Sequence, residues 1–246
     1  MSFTYQQEEQ PRPDEPVNEE FTEAYEPTPI YTTVLVVAIL GVAAVQFVTG
    51  LELSIMAAGF DKPAFLVGHE YWRILTGATV HGGVMHVGMN CYAFYSFGKI
   101  VEMLSNRAHL AIVFLLSAIG GGILSLVFVP DGLSVGASGG IVGLVSYLLV
   151  YAFRRRRFIS AEFRKSLLIN IGFIVIFGLV LFRVIDNFGH IGGLITGAVY
   201  GFVQIPSDEY TDPREAGPFV QTAGLAAMGI YLAGCLMSVL LILKVI

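Results

Sequence analysis

Seven mostly apolar stretches, each about as long as a membrane-spanning helix, dominate this 246-residue chain. Crossing the hydrocarbon core of a bilayer takes about 17–25 apolar residues in helical form. Two of the stretches, at residues 80–98 and 188–205, also carry polar side chains. The pattern predicts an all-α membrane protein, a polytopic bundle of seven transmembrane helices. The other five stretches are residues 31–50, 110–129, 133–153, 166–182 and 218–243.

Composition supports a membrane protein. Hydrophobic residues make up 55% of the chain and charged residues only 13%, whereas soluble domains contain about 25% charged residues. Cys91 and Cys235 lie in apolar stretches far apart in the sequence, so we expect buried free thiols and no disulfide framework. No motif or basic surface indicates binding to nucleic acid.

The chain divides into four parts on composition. Residues 1–30 are acidic and rich in proline and are predicted to be a disordered cytoplasmic tail, because they hold too few apolar residues to form a core. Residues 31–205 are predicted to form a six-helix core, and residues 206–217 a cytoplasmic linker. Residues 218–246 are predicted to add one C-terminal transmembrane helix.

The distribution of lysine and arginine predicts the orientation. If the N-terminus is cytoplasmic, ten of the 14 lysines and arginines fall on the cytoplasmic side, including the run RRRR at residues 154–157. Cytoplasmic loops carry an excess of these residues. We therefore expect a multi-pass protein of the plasma (inner) membrane with its N-terminus inside.

Five polar side chains are predicted to lie at one depth in the membrane. His81, His86 and Asn90 lie near the start of the second apolar stretch, Ser138 near the start of the fourth and His190 near the start of the sixth. With the N-terminus inside, all three stretches begin at the outer surface. His86 and Asn90 are also four residues apart, so they share a helix face. Ionisable groups inside a membrane are costly and indicate function.

Glycine spacing predicts how two of these helices meet. Small residues four apart let two helix backbones approach closely in lipid. If the fourth and sixth stretches pack through such pairs, Ser138 and His190 come within hydrogen-bond reach, which a histidine needs to activate a serine. The pairs are Gly139 with Gly143 and Gly193 with Gly197.

Other interpretations of the same residues stay open at this point. The glycines could serve packing alone, Ser138 could bond to its own helix, and the histidines could be hydrated interfacial residues. His81, His86 and His190 could together hold zinc. HEYWR at 69–73 misses the HExxH zinc motif, because Arg73 replaces the second histidine. A channel would need polar residues through the whole membrane, and the first, third, fifth and seventh stretches contain almost none. The α/β-hydrolase motif G-x-S-x-G is excluded, because it needs a soluble parallel sheet around the serine.

The sequence resembles the rhomboid intramembrane serine proteases over about residues 65–204. GASGG at 136–140 is similar to the family's GxSG motif, and HGGVMHVGMN at 81–90 to its HxxxxHxxxN element. DNFGHIGGLITG at 186–197 resembles its histidine and glycine motif, and YWR at 71–73 its tryptophan–arginine motif. Three motifs, in order, on three helices entering from the same side make the resemblance specific.

The resemblance implies a role for each residue of the cluster. It implies Ser138 as the nucleophile, His190 as the general base, and an oxyanion site from the side chains of His86 and Asn90 with the backbone N–H of Ser138. No third acidic residue, metal or other cofactor is implied. The residues expected to support this site are His81, Gly136, Gly139, Gly193 and Gly197.

The resemblance also implies the partners. Rhomboid proteases act within the lipid bilayer on single-span transmembrane proteins, which they cut near the outer membrane boundary. The stretch at 218–243 fits members that add one helix after the core, and Glu102 matches a glutamate that often follows the second helix. Val142 departs from the family, because many members have an aromatic ring there under the histidine. A catalytically inactive member that binds transmembrane clients is the alternative function.

Overall fold

The computed structural model describes residues 28–208 and 210–246, and within these ranges the chain is a bundle of helices. Two strands of two residues each, β1 (Phe60–Asp61) and β2 (Leu133–Ser134), pair antiparallel. The described helices, in chain order, are α1 (Ile30–Thr49), α2 (Leu51–Ala58), α3 (Lys62–Leu66), α4 (Arg73–Thr76), α5 (Val84–Leu104), α6 (Arg107–Phe128), α7 (Ser138–Arg154), α8 (Ala161–Val180), α9 (Asn187–Gln204) and α10 (Pro218–Ile242).

The predicted fold class, an all-α helical membrane bundle, is confirmed. The seven helices of 17 or more residues correspond to the seven apolar stretches. By length and composition, α1, α6, α8 and α10 are long and apolar enough to cross a membrane. The apolar helix α7 is shorter, at 17 residues. The other two, α5 and α9, are those predicted to carry polar side chains. The predicted tail at residues 1–30 lies almost wholly outside the described residues.

Two of the predicted helices start several residues later than expected, and α8 starts five residues earlier, at Ala161. The stretch at 80–98 becomes helical only at Val84, so His81 precedes the helix, and the stretch at 133–153 becomes helical only at Ser138. A glycine with positive φ stands before each start: Gly83 at +141° and Gly136 at +116°. Such angles are outside the helical range, and they turn the chain into the helix from a new direction.

The bundle is centred on α7. Twelve of its 17 residues are buried, and α6 and α9 pack along it. The peripheral helix α8 buries only Leu167 and Gly178. In a membrane, the exposed apolar side chains of such a helix face lipid, so packing against protein is not needed to solvate them.

At the end of the bundle away from Ser138, Glu102 joins α5 to the start of α1. The residue before α1 is Pro29, which offers no side-chain cap. The Glu102 carboxylate accepts instead from the Thr32 backbone N–H at 2.6 Å and from the Thr32 hydroxyl at 2.7 Å. A carboxylate at a helix N-terminus satisfies free N–H groups and complements the helix dipole.

The segment between α1 and α5 folds over the start of α7, an arrangement that the sequence analysis did not predict. Strand β1 pairs with β2, which lies just before Ser138. The Arg73 guanidinium fixes this segment by bonding the Glu70 carboxylate at 2.5 Å and the Gly59 carbonyl at 2.8 Å. The Tyr231 hydroxyl, buried on α10, donates to the Ala78 carbonyl at 2.9 Å. The segment that covers the start of α7 is therefore held both by its own Arg73 and by α10.

Candidate active site

Ser138 is the first residue of α7, at the end of a tightly turned segment. The positive φ of Gly136 makes this turn, and the Gly136 N–H donates to the Gly77 carbonyl at 2.9 Å. The first hydrogen bond of the helix runs from the Ile141 N–H to the Ala137 carbonyl. The backbone N–H of Ser138 therefore has no acceptor within the helix and is available as a donor.

His190 lies in the first turn of α9, opposite Ser138. Its Nε2 is 2.9 Å from the Ser138 Oγ, which is a hydrogen-bond distance. The other ring nitrogen, Nδ1, is buried and has no hydrogen-bond partner within the described part of the chain. When Nε2 accepts the hydrogen bond of the serine hydroxyl, the ring is neutral and carries its proton on Nδ1.

Glycines bring α7 and α9 together, as the spacing predicted. A Cβ added to Gly193 would overlap the Gly139 carbonyl oxygen, and one added to Gly197 would overlap the Gly143 carbonyl oxygen. A third helix joins the contact, because a Cβ on Gly121 of α6 would lie 2.5 Å from a carbonyl oxygen of α9. Any side chain at these positions would push the helices apart and separate Ser138 from His190.

His86 and Asn90 lie beside Gly136, two residues before Ser138. A Cβ on Gly136 would lie 2.8 Å from the His86 Nε2 and 3.8 Å from the Asn90 Nδ2. The Gly82 N–H donates to the His86 Nδ1 at 3.2 Å. Since Nδ1 accepts, the neutral ring carries its proton on Nε2, which faces the serine segment. The Asn90 amide donates to the His86 carbonyl at 3.0 Å within its own helix.

His81 lies behind His86, in the segment just before α5. Its side chain is 1% exposed, and its ring meets the His86 ring edge to face with centroids 5.1 Å apart. The amide of Gln46 on α1 holds the His81 backbone, donating to its carbonyl at 3.2 Å and accepting from its N–H at 2.9 Å. Gln46 was not predicted as part of the site. The available signal was a single amide side chain in an otherwise apolar stretch, which does not reveal its partner.

The ring that many rhomboid proteases place under the histidine is missing. Val142 is buried, and no aromatic ring stacks on His190 among residues 28–208 and 210–246. Phe188, two residues before His190, stacks instead on Phe128 of α6, with ring centroids 4.6 Å apart. No ring therefore fixes the orientation of His190 within the described ranges.

The alternative of a zinc site has little geometric support. Across the described ranges, no three histidine, cysteine, aspartate or glutamate side chains are grouped closely enough to hold a metal ion. The His190 Nε2 faces the Ser138 hydroxyl. This arrangement suits acyl transfer, in which a histidine removes a proton from a serine.

A small cavity adjoins the serine and the histidine. Its volume is about 50 Å³, and its lining includes Ser138, His190, Gly136 and Asp186. One water needs about 10–15 Å³ of such space and two or more polar partners. The cavity is therefore large and polar enough to hold water next to the serine.

Comparisons with known proteins agree with the motifs. A family model described as "Rhomboid domain" matches residues 68–207. The chain is 36% identical over 148 residues to the Rhomboid protease GluP of Bacillus subtilis and 34% identical over 151 residues to the mitochondrial RHOMBOID-like protein 6 of Arabidopsis thaliana. It is 30% identical over 142 residues to the Inactive rhomboid protein 1 of Bos taurus.

The matches cover about the same part of this chain but only part of each relative. They span 58%, 58% and 57% of this chain in the order given, and 28%, 47% and 16% of the relatives. The chain therefore matches less than half the length of each of these relatives. Proteins named as a protease and as inactive are both among them.

Proposed function

The chain belongs to the rhomboid family of multi-pass membrane proteins, and on that premise we propose that it is a serine endopeptidase. It cleaves transmembrane segments of single-span membrane proteins near the outer membrane face. The observation that carries the proposal is the 2.9 Å contact between the His190 Nε2 and the Ser138 Oγ. This contact gives the serine a base at the start of its helix, where peptide and water can reach it.

The proposed reaction is acyl transfer in two steps. His190 takes the Ser138 proton while the Oγ bonds to the scissile carbonyl carbon. The tetrahedral intermediate collapses, the C–N bond breaks, and His190 gives its proton to the leaving amine. Water then attacks the acyl-enzyme with His190 again as the base, releasing the acid and restoring the serine. The side chains and backbone of the protein supply every catalytic group for these two steps, so no cofactor is proposed.

Three donors are proposed to stabilise the oxyanion: the His86 Nε2–H, the Asn90 amide and the backbone N–H of Ser138. The tautomer of His86 and the free N–H at the start of α7 support this assignment. The Asn90 amide nitrogen has two N–H donors, so one can bond the His86 carbonyl while the other is available to the oxyanion. Removing one oxyanion donor typically lowers turnover about 10²–10³-fold. His81 supports the site by packing against His86.

The proposed topology follows the lysine and arginine distribution. With the N-terminus in the cytoplasm of a plasma (inner) membrane, the Ser138 end of the bundle faces outward. We propose residues 31–205 as the six-helix catalytic core and residues 218–246 as an added C-terminal helix. An acidic tail at residues 1–30 and a linker at 206–217 complete the division.

Cleavage of a single-span reporter by the purified full chain in liposomes tests the proposal. Wild type is compared with Ser138→Ala and His190→Ala, each with and without a chelator. Ser166→Ala serves as the matched control, because Ser166 is an exposed serine on the peripheral helix α8. We expect cleavage that survives the chelator, is unchanged in Ser166→Ala and is lost in both site variants.

The other outcomes separate the alternatives. Loss of cleavage with the chelator alone would indicate a metal-dependent site. If folded wild type cuts none of several reporters and still binds them, the chain is a non-catalytic client binder, like the relatives named inactive.

A further inference from the structure

A second polar contact joins the same two segments as the contact between serine and histidine. Asp186 is the N-cap of α9, one turn before His190, and its carboxylate accepts from the Gly189 N–H at 2.8 Å. It also accepts from the Ser134 hydroxyl at 2.6 Å and from the Ser125 hydroxyl at 2.5 Å. Capping the helix accounts for only the first of these three bonds.

The two serines connect Asp186 to other parts of the site. Ser134 lies in β2, four residues before Ser138, and Ser125 lies in the last turn of α6. The bond from Ser134 to Asp186 therefore joins the same two segments as the contact between Ser138 and His190, four residues earlier on each segment. Two parallel contacts between two segments fix their distance and also their relative rotation, which one contact does not.

A buried lysine lies near this carboxylate. Lys62 is 1% exposed, and its backbone N–H donates to the Gly132 carbonyl at 3.2 Å, in the turn that leads to β2. Burial lowers the pKa of Lys62, and the negative charge of Asp186 opposes that decrease. A buried charge needs an opposite charge or hydrogen bonds. Asp186 supplies the opposite charge beside Lys62, and its own three hydrogen bonds hold the carboxylate in place.

We propose that Asp186 is the positioning residue of the site: its carboxylate holds the segment carrying Ser138 against the helix carrying His190. The inference rests on the proposed function. Asp186 acts through Ser134 and the α9 backbone, because the His190 Nδ1 has no hydrogen-bond partner in the described structure. It is therefore not the third member of a catalytic triad. It does the orienting work that the missing aromatic ring does elsewhere in the family.

Steady-state kinetics of the full chain in liposomes test the role. We expect Asp186→Ala to lower kcat about 10–100-fold with KM unchanged within about twofold, because a shift of about 1 Å in the reacting groups costs on the order of 10²-fold. Asp186→Asn should lose less, since its amide oxygen still caps the Gly189 N–H. The matched control is Ser160→Ala, which removes an N-cap from the peripheral helix α8, where Ser160 accepts from the Phe163 N–H at 3.1 Å.

A double-mutant cycle separates positioning from general stability. Ser134→Ala should lower kcat several-fold, and the Asp186→Ala/Ser134→Ala double variant should lose no more than Asp186→Ala alone, because both changes remove one contact. The thermal midpoint of each variant corrects kcat for the folded fraction. Wild-type kcat in Asp186→Ala, losses that multiply in the double variant, or a decrease explained by the folded fraction would each overturn the inference.

Hydrogen exchange gives a readout that does not depend on cleavage. Asp186→Ala should speed amide exchange at residues 130–137 and 186–190 relative to wild type and to Ser160→Ala. Unchanged exchange at 130–137 would contradict the inference. If wild type cuts no reporter, the proposed function fails, and exchange still decides the role of Asp186. If wild type cuts and Asp186→Ala cuts equally well, only the inference fails.

Discussion

Helices α8 and α9 are consecutive and similar in length, but they pack in opposite ways. Every buried residue of α9 is a glycine, and three of these glycines, Gly192, Gly193 and Gly197, face backbone atoms of α6 or α7. Helix α8 buries only Leu167 and Gly178 and exposes most of its apolar side chains. Close backbone packing therefore occurs on the helix that carries His190, where a small shift would separate the reacting atoms.

The comparison also shows that whether a glycine is required depends on the atoms packed against it. Both helices contain glycines, but a Cβ on Gly172 of α8 would have no atom within 4 Å, whereas one on Gly193 would overlap a backbone carbonyl. Lipid is as apolar as leucine, so helices in a membrane gain little from hydrophobic burial and associate through close contacts. Position 193 must be glycine for α9 to make such a contact with the backbone of α7.

The largest expected effect is that of Gly193→Ala, with Gly172→Ala as its comparison. Gly193→Ala should lower cleavage by about 10²-fold or more and destabilise the fold by about 1–3 kcal/mol, because the added methyl group forces α9 away from α7. Gly172→Ala should leave cleavage unchanged and stabilise α8 by up to about 1 kcal/mol. Reporter cleavage and the thermal midpoint measure both. Equal effects of the two substitutions would break the comparison.

A smaller effect is expected at the two glycines that start the site helices. Gly136 and Gly83 both have positive φ, but only a Cβ on Gly136 would contact His86. Alanine at either position should cost about 1–3 kcal/mol of backbone strain. Gly136→Ala should also lower kcat at least about tenfold beyond Gly83→Ala, after correction for the folded fraction. Equal kcat values would show that the contact with His86 has no catalytic effect.

The smallest effect is expected at the far end of the bundle. Glu102→Gln keeps the shape of the side chain that caps α1 but removes its charge, so it should cost about 1 kcal/mol of stability. Cleavage per folded molecule should not change, because the contact lies at the end away from Ser138. A thermal midpoint and kcat measured on one preparation check both parts. A fall in kcat would show that the two ends are coupled.

Much of the fold and the main polar cluster could be predicted because they depend on local patterns. Apolar length predicted the long helices, and glycines four apart predicted the packing of α7 on α9. The contact between Ser138 and His190 follows from that packing and from both residues lying near helix starts. The late starts of α5 and α7 were hidden, because a positive φ at glycine leaves no trace in apolar length.

The rest could not be predicted, because it depends on contacts between distant segments. The Gln46 amide meets the backbone of His81, 35 residues away, and the Ser134 hydroxyl meets Asp186, 52 residues away. The pairing of β1 with β2 involves only two residues on each side, too few to give a strand pattern. These contacts hold the segments around the site, and each side chain alone resembles an ordinary polar residue.

The most direct test of the central claim is covalent labelling by a serine-directed fluorophosphonate, located by peptide mass spectrometry. The account predicts that wild type is labelled at Ser138, and that His190→Ala and Gly193→Ala are labelled at least about tenfold more slowly, because each change removes the base or moves it away. Gly172→Ala should react like wild type. Labelling at another serine, or at Ser138 with equal rates in wild type and His190→Ala, would contradict the account.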